Sequence, residues 1–301
     1  MPSDVEQQLS SQCRSIVFKN FSIYREGLII TDYLHEHNIP YEHHKGVHLA
    51  QRLFGNIGMR EMSDIDILLY PKDLEAIGSF LISRGYRAET KIPKRWMRWY
   101  MYNNCEYNFD YYLNGQRIFH VEPHWFLGAR VMQMNIGLSD LYQYRNHAHE
   151  NLSPELLLIM VCAHHGSDMC RRLKYVVDLY SIIAKYKEEI DWDRVLYISR
   201  ELKMGNILLL CIDQVIEEFQ LDLPQKIKDL IELKISRRLS ADVMRRRAQY
   251  IPSKRKLGNH LRRFRFQLLI REKLSTKLRV LWNIFIFYLL FRLFIPKSIR
   301  L

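Results

Sequence analysis

Asp64 and Asp66 stand two residues apart in Met62-Ser63-Asp64-Ile65-Asp66-Ile67-Leu68-Leu69, within an apolar, β-branched run that reads as a buried strand. Residues i and i+2 of a strand point to one face, so both carboxylates project together from an element that otherwise resembles core. Two like charges side by side in such a setting need a positive charge between them. A divalent cation, with Mg²⁺ held by a few carboxylates and the phosphates of a nucleotide, meets that need.

A third carboxylate follows from a hairpin. Leu113-Asn114-Gly115-Gln116 is an Asn-Gly turn between runs rich in aromatic and β-branched residues, with expected arms at 106–113 and 116–122. In the second arm Ile118, His120 and Glu122 share one face, and Phe119 and Val121 share the other. Pairing of this arm beside the Asp64–Asp66 strand would add Glu122 to the cluster. Three carboxylates can hold two divalent ions that clamp the attacking and leaving oxygens of an in-line phosphoryl displacement. A carboxylate can also serve as general base toward an attacking hydroxyl. Taken alone, Glu122 reads as a strand-end charge in solvent.

The positioning elements are legible from periodicity and punctuation. Residues 8–38 have helical spacing, with Ile16, Phe18, Ile23, Leu28, Ile29, Tyr33 and Leu34 as expected buried positions, and Asn38-Ile39-Pro40 ends the run. A short strand at 41–44 leads through Lys45-Gly46 into a helix over 47–54. After the Asp-Ile-Asp strand, Pro71 opens a helix that Arg84-Gly85 closes. Beyond Trp125 the chain reads as helical, with Ser153 capping a helix that starts at Pro154 and further starts near Asp191 and Pro224. The expected fold class is α+β, in three stretches: a helical segment at 1–40, an α/β domain at 41–127 and a basic helical domain at 128–301.

The 301-residue chain is 48% hydrophobic and 26% charged, which fits a globular protein and excludes a disordered one. From Lys234 to Leu301 there are 19 Lys and Arg against two acids, so the overall +12 excess is confined to this last quarter. Clusters such as Arg245-Arg246-Arg247, Lys254-Arg255-Lys256 and Arg262-Arg263-Phe264-Arg265 can attract nucleic acid, anionic lipid or polyphosphate, or form a solvated helical face. The apolar run 280–295 is interrupted by Asn283 and Arg292 and is short of the ~20 residues a membrane span needs. A core helix is its first reading, an interfacial helix on an anionic membrane its second, a spanning helix its third. Five scattered cysteines without C-x-x-C spacing point to neither a disulfide framework nor a zinc site, and a reducing cytoplasm is the simplest compartment. The polar, acidic N-terminus does not read as a signal peptide.

Several other groups have bland readings beside sharper ones. His43-His44 and His147-Ala148-His149 have no matching Cys and read as surface or capping histidines. Trp96, Trp99, Tyr100 and Tyr102, interleaved with Lys94, Arg95 and Arg98, could stack on a base or form a packing loop. Asp178 lies in an apolar setting and reads as an ion-pair partner of Arg172 or Lys174.

Lys45-Gly46, then Arg60, Asp64-Ile65-Asp66, Pro71-Lys72-Asp73-Leu74 and Gly85-Tyr86 resemble the nucleotidyltransferase-like proteins of the polymerase-β superfamily. The likeness is greatest to a bacterial branch that opens with Lys-Gly and continues with Arg, a spacer and Asp-x-Asp. That branch's carboxylate-x-His-Trp is similar to Glu122-Pro123-His124-Trp125, and its helical motif to His165-Gly166 with Arg172-Leu173-Lys174-Tyr175-Val176-Val177-Asp178-Leu179. The ordered pieces cover roughly residues 25–180.

The resemblance implies a small mixed sheet with flanking helices, followed by a larger all-helical C-terminal domain. It implies that Asp64, Asp66 and Glu122 are catalytic ligands of Mg²⁺, two ions with Mn²⁺ able to substitute. Lys45, Gly46, Arg60 and Ser63 would bind the triphosphate, and His165, Arg172, Lys174 and Asp178 would line a facing helical wall. The chain departs from the superfamily's Gly-Ser pair with Lys45-Gly46-Val47, and has Glu122 where this branch more often has Asp.

Two functions follow. One is an Mg²⁺-dependent nucleotidyltransferase that moves a nucleoside monophosphate from a nucleoside triphosphate to a small-molecule or macromolecular acceptor. The other is an inactive relative that binds nucleic acid, an anionic membrane or a protein partner through residues 234–301. The first places the protein in the cytoplasm, the second adds peripheral membrane contact.

Overall fold

The computed structural model describes residues 3–43, 45–128, 135–145, 152–235, 237–248, 257–271 and 273–294. The expectations for His44, His147–His149 and Lys254–Lys256 lie outside the described residues, as do the side chains of Arg246, Arg247, Arg262 and Arg263 and the end of the 280–295 run. Two compact units divide the chain. The first is Met1–Arg98, Glu106–Trp125 and Gly137–Ser139; the second is Trp99–Cys105, Phe126–Ile136 and Asp140–Leu301.

The first unit opens with helix α1 (Ser3–Glu36). Its buried stripe is Asn20, Ile23, Glu26, Ile30 and Leu34, which corrects the phase expected from apolar residues. Phe18 is 74% exposed, and Leu28 and Ile29 are 38% exposed each. Two polar residues hold stripe positions because each has buried partners. The Asn20 amide donates to the carbonyls of Ile57 (2.6 Å) and Arg60 (2.9 Å). The Glu26 carboxylate accepts from Arg84 (3.1 Å) and from the Tyr86 hydroxyl (2.9 Å).

Strand β1 (Tyr41–His43), helix α2 (Gly46–Phe54), strand β2 (Ile65–Leu69) and helix α3 (Leu74–Ser83) follow, the last entered through a 3-10 turn at Pro71–Asp73. Strand β3 (Arg87–Ala88), helix α4 (Lys94–Asn103) and the hairpin of β4 (Phe109–Leu113) and β5 (Gln116–His124) come next. Residues 94–103 are thus helical, not the loop that the mixture of bases and aromatics suggested. Asn114 (φ +50°) and Gly115 (φ +78°) both adopt the left-handed conformation, as a two-residue hairpin turn with right-handed strand twist requires.

The sheet order is β1-β2-β5-β4-β3. β2 and β5 run parallel, and every other pair is antiparallel. One sheet face contributes Ile65, Ile67, Leu69, Phe109 and Val121 to a core shared with Ile23, Ile30 and Leu34 of α1 and Ile77 and Leu81 of α3. Each such side chain contributes about 1.5–3 kcal/mol by leaving water, so register is firmly set on this face. Alternation then sends Asp66, Glu122 and His124 to the opposite face.

The second unit is helical: α5 (Leu138–Tyr142), α6 (Pro154–Ser167), α7 (Leu173–Lys185), α8 (Trp192–Glu201), α9 (Gly205–Phe219), α10 (Gln225–Lys234), α11 (Arg237–Ala248), α12 (Leu257–Ile270) and α13 (Leu274–Phe294). α6 is buried on all sides from Leu156 to Ala163, and α7 and α9 pack against it. Ser153 caps α6 by accepting from Leu156 N–H, and Asp191 caps α8 by accepting from Asp193 and Arg194 N–H.

α13 departs from its core reading over its described side chains. Val280 is buried, whereas Leu274, Leu278, Trp282 and Phe285 are each more than half exposed. Among the described residues, no helix is long and apolar enough to cross a membrane.

Candidate functional site

β2 and β5 align Asp66 with Glu122 as direct register partners. Parallel neighbours in register place both side chains on the face away from the core, where the hairpin reading expected them. Asp66 is 1% exposed and sits mid-strand; Asp64 immediately precedes β2 and lines the same small cavity as Asp66, Lys45 and Gly46.

Lys45 ends an extended stretch just before α2, and Gly46 opens that helix at φ +76°. The left-handed turn brings the Gly46 backbone against the Asp64 carbonyl, since a Cβ there would lie 3.6 Å from that oxygen. It also aims the Lys45 side chain across β2. Lys45 Nζ reaches Asp66 Oδ1 at 2.7 Å and Glu122 Oε2 at 3.7 Å.

Two histidines complete the arrangement, and both follow Glu122's period of two along β5. His124 Nε2 lies 3.2 Å from Asp66 Oδ1 and 3.3 Å from Glu122 Oε2, while its Nδ1 faces Glu106 at 3.3 Å. His120 Nε2 lies 2.9 Å from Glu122 Oε1, and its Nδ1 lies 2.6 Å from Asp110 Oδ1. Arg117 closes the far end, 3.3 Å from Asp110. A line of alternating charge thus crosses β2, β5 and β4. The sequence placed His120 on the correct face but gave neither histidine a part; extending its alternation to His124 would have found both.

The electrostatics separate the two carboxylates. Burial pushes Asp66 up to about 6, against the opposing pull of Lys45, and Asp64 and Glu122 add repulsion. Glu122 also loses hydration by burial, but hydrogen bonds from His120 and His124 and the Lys45 charge outweigh this and hold it far below the usual carboxylate range. His120 rises to about 9, chiefly through its hydrogen bond to Glu122. Burial thus disfavours the charge on Asp66, and a further positive charge placed there would stabilise its ionised form.

The donor set fits a hard cation. Asp66 Oδ2 is buried and has no hydrogen-bond donor among the described residues. One ligand atom each from Asp66, Glu122 and His124 lie within 4.8 Å of one another, and two of the three are carboxylate oxygens. Carboxylates are the ligands Mg²⁺ and Mn²⁺ prefer.

A protein-family model described as uncharacterised nucleotidyltransferase matches residues 1–219. The chain belongs to that family. No curated protein and no solved structure matches it. The nucleotidyltransferase match takes in the whole sheet and runs to the last residue of α9, leaving the strongly basic residues 234–301 outside.

Arg60 is buried just after a 3-10 turn, with its carbonyl held by Asn20, and Ser63 is exposed. In the second unit His165 and Asp178 are enclosed at 0% and 2% exposure. Arg172 is exposed and pairs with Asp168 at 2.7 Å, and the Lys174 ammonium lies over the Tyr175 ring.

Proposed function

We propose that this member of the nucleotidyltransferase family is an Mg²⁺-dependent enzyme that transfers a nucleoside monophosphate from a nucleoside triphosphate to a hydroxyl or phosphate acceptor. The observation that carries the proposal is the register pair Asp66–Glu122, with a buried, donorless Asp66 oxygen beside Lys45. Asp64, Asp66 and Glu122 would hold the cation, and Mn²⁺ would serve in its place. When bound, the cation supplies positive charge against the triphosphate and the developing charge of the reaction.

The chain's own groups do the rest. His124 bridges Asp66 and Glu122 and fixes their spacing, and His120 keeps Glu122 ionised. Gly46 opens α2, so the first N–H groups of that helix face phosphate oxygens, and Lys45 adds an ammonium at the same end. The acceptor oxygen attacks the α-phosphorus, a carboxylate of the trio takes its proton, and pyrophosphate leaves with the electrons of the broken P–O bond.

Incubation with Mg²⁺, each labelled nucleoside triphosphate and a cell extract tests this. Wild type is expected to yield a labelled product that Asp66→Asn and Glu122→Gln do not. Absence of any transfer, together with triphosphate binding that neither substitution weakens, would sink the reading.

A peripheral membrane contact is a second reading, favoured by α13. Its exposed Leu274, Leu278, Trp282 and Phe285 recur at helical spacing beside Lys273, Lys277 and Arg279, a pattern suited to an anionic bilayer surface. Co-sedimentation with anionic but not neutral vesicles, lost in a Trp282→Glu/Phe285→Glu variant, is the expected result.

A further inference from the structure

We propose that His165, Cys170 and Cys211 form a buried site for a soft divalent cation, Zn²⁺, within the helical unit and sharing no residue with the carboxylate cluster. All three residues are 0% exposed, and one ligand atom from each lies within 4.8 Å of the others. The two sulfurs are 3.6 Å apart. That is far beyond the ~2.05 Å of a disulfide. It is close to the ~3.8 Å that two Zn–S bonds of about 2.3 Å subtend at a tetrahedral angle.

The ligands come from three places that sequence spacing cannot join: the end of α6, the turn after it, and the middle of α9. Cys170 reaches inward because Met169 and Cys170 both take left-handed backbone, at φ +57° and +55°. Two consecutive non-glycine residues in that region are strained, and such strain concentrates where a side chain must be aimed at a ligand. The turn is fixed by Cys170 N–H donating to the His165 carbonyl at 2.8 Å.

Chemistry selects the ion. Gln214, three residues after Cys211 on α9, accepts from His165 Nε2 at 3.3 Å. With the amide oxygen accepting, the proton belongs on Nε2 and Nδ1 is the nitrogen left to bind a metal, as outer partners arrange for metal-bound histidines. Two thiols each release a proton on binding, and two thiolates neutralise one divalent ion, so the loaded site carries no net charge into the interior. Thiolate and imidazole favour Zn²⁺ over the hard cations that suit Asp66 and Glu122.

The test adds Co²⁺ alone to the reduced, metal-stripped full chain and reads the near-ultraviolet thiolate-to-cobalt charge-transfer band. One equivalent should saturate the band and one of Zn²⁺ should abolish it. Cys170→Ser and Cys211→Ser should lose it, while Cys162→Ser and Asp66→Asn should keep it. Because a cysteine variant can misfold, alkylation of the wild type is followed by mass spectrometry. Zn²⁺ should slow modification of Cys170 and Cys211 at least tenfold and leave Cys13 unchanged. No charge-transfer band in the wild type, a band that survives both cysteine substitutions, or alkylation indifferent to Zn²⁺ would each overturn the proposal.

Discussion

Lys45 Nζ stands 2.7 Å from Asp66 Oδ1, an ammonium against a carboxylate with almost no solvent of its own. The pair occupies a position where Asp64 and Glu122 add further negative charge. Desolvation of both ions offsets much of their attraction, but removing one partner leaves the other buried and uncompensated. Lys45 therefore supplies positive charge that the strand pair demands.

Lys45→Met tests this directly. In chelator the variant should lose about 3–5 kcal/mol of stability, the cost of breaking a buried ion pair. Urea melts with and without Mg²⁺ provide the readout. Millimolar Mg²⁺ should restore more stability to the variant than it adds to wild type, because the ion then meets no competing ammonium and a carboxylate that has lost its lysine partner.

Gly46→Ala addresses the turn that aims Lys45. The added methyl has ordinary contact distance to the Asp64 carbonyl, so its cost is conformational. An L-residue held at φ +76° should lower stability by roughly 1–2 kcal/mol. Triphosphate affinity should fall with it, whereas Gly55→Ala, at φ +64° and outside that cavity, should lower stability but leave affinity unchanged.

Asn20→Ala removes the amide that holds the Ile57 and Arg60 carbonyls to α1. Leaving buried acceptors without a donor costs about 1–3 kcal/mol. Thermal melts should show that loss, and a KM for nucleotide that rises more than kcat falls would mark Arg60 as a triphosphate contact.

How much of this was legible in the sequence depended on the physics of each element. Asn114-Gly115, Ser153-Pro154 and the β2 pattern carry local signals, and all appear where expected. The face that Asp66 and Glu122 each take was legible, because period-two alternation fixes it, but that their strands are neighbours was not, since alternation names no partner strand. The α1 phase did not, since Asn20 and Glu26 are buried by partners 37 to 60 residues away that no periodicity shows. His165, Cys170 and Cys211 were invisible as a group for the same reason: their proximity is a product of helix packing, not of spacing.

A pH dependence follows from the ring pair beside the cavity. His43 and His48 stack with centroids 3.4 Å apart. Burial lowers His48 to about 4 and, with the His48 charge, drives His43 well below its ordinary value. The unfolded chain takes up these protons near pH 6.5, so it binds more protons than the folded chain between about pH 6.5 and 4. Stability should fall as pH drops through that window. His48→Gln should lose less between pH 7 and 5 in urea melts than wild type does, and an equal loss would show that the pair is not responsible.

The central claim is that Asp66 and Glu122 hold a cation for a nucleoside triphosphate. Calorimetric titration of the full chain with a non-hydrolysable triphosphate, in Mg²⁺ and in chelator, tests it most directly. The account predicts binding that requires Mg²⁺ in wild type and is lost at least tenfold in Asp66→Asn and in Glu122→Gln, with both variants folded by circular dichroism. Equal affinity with and without Mg²⁺, or unaltered Mg²⁺-dependent binding in both variants, would contradict it.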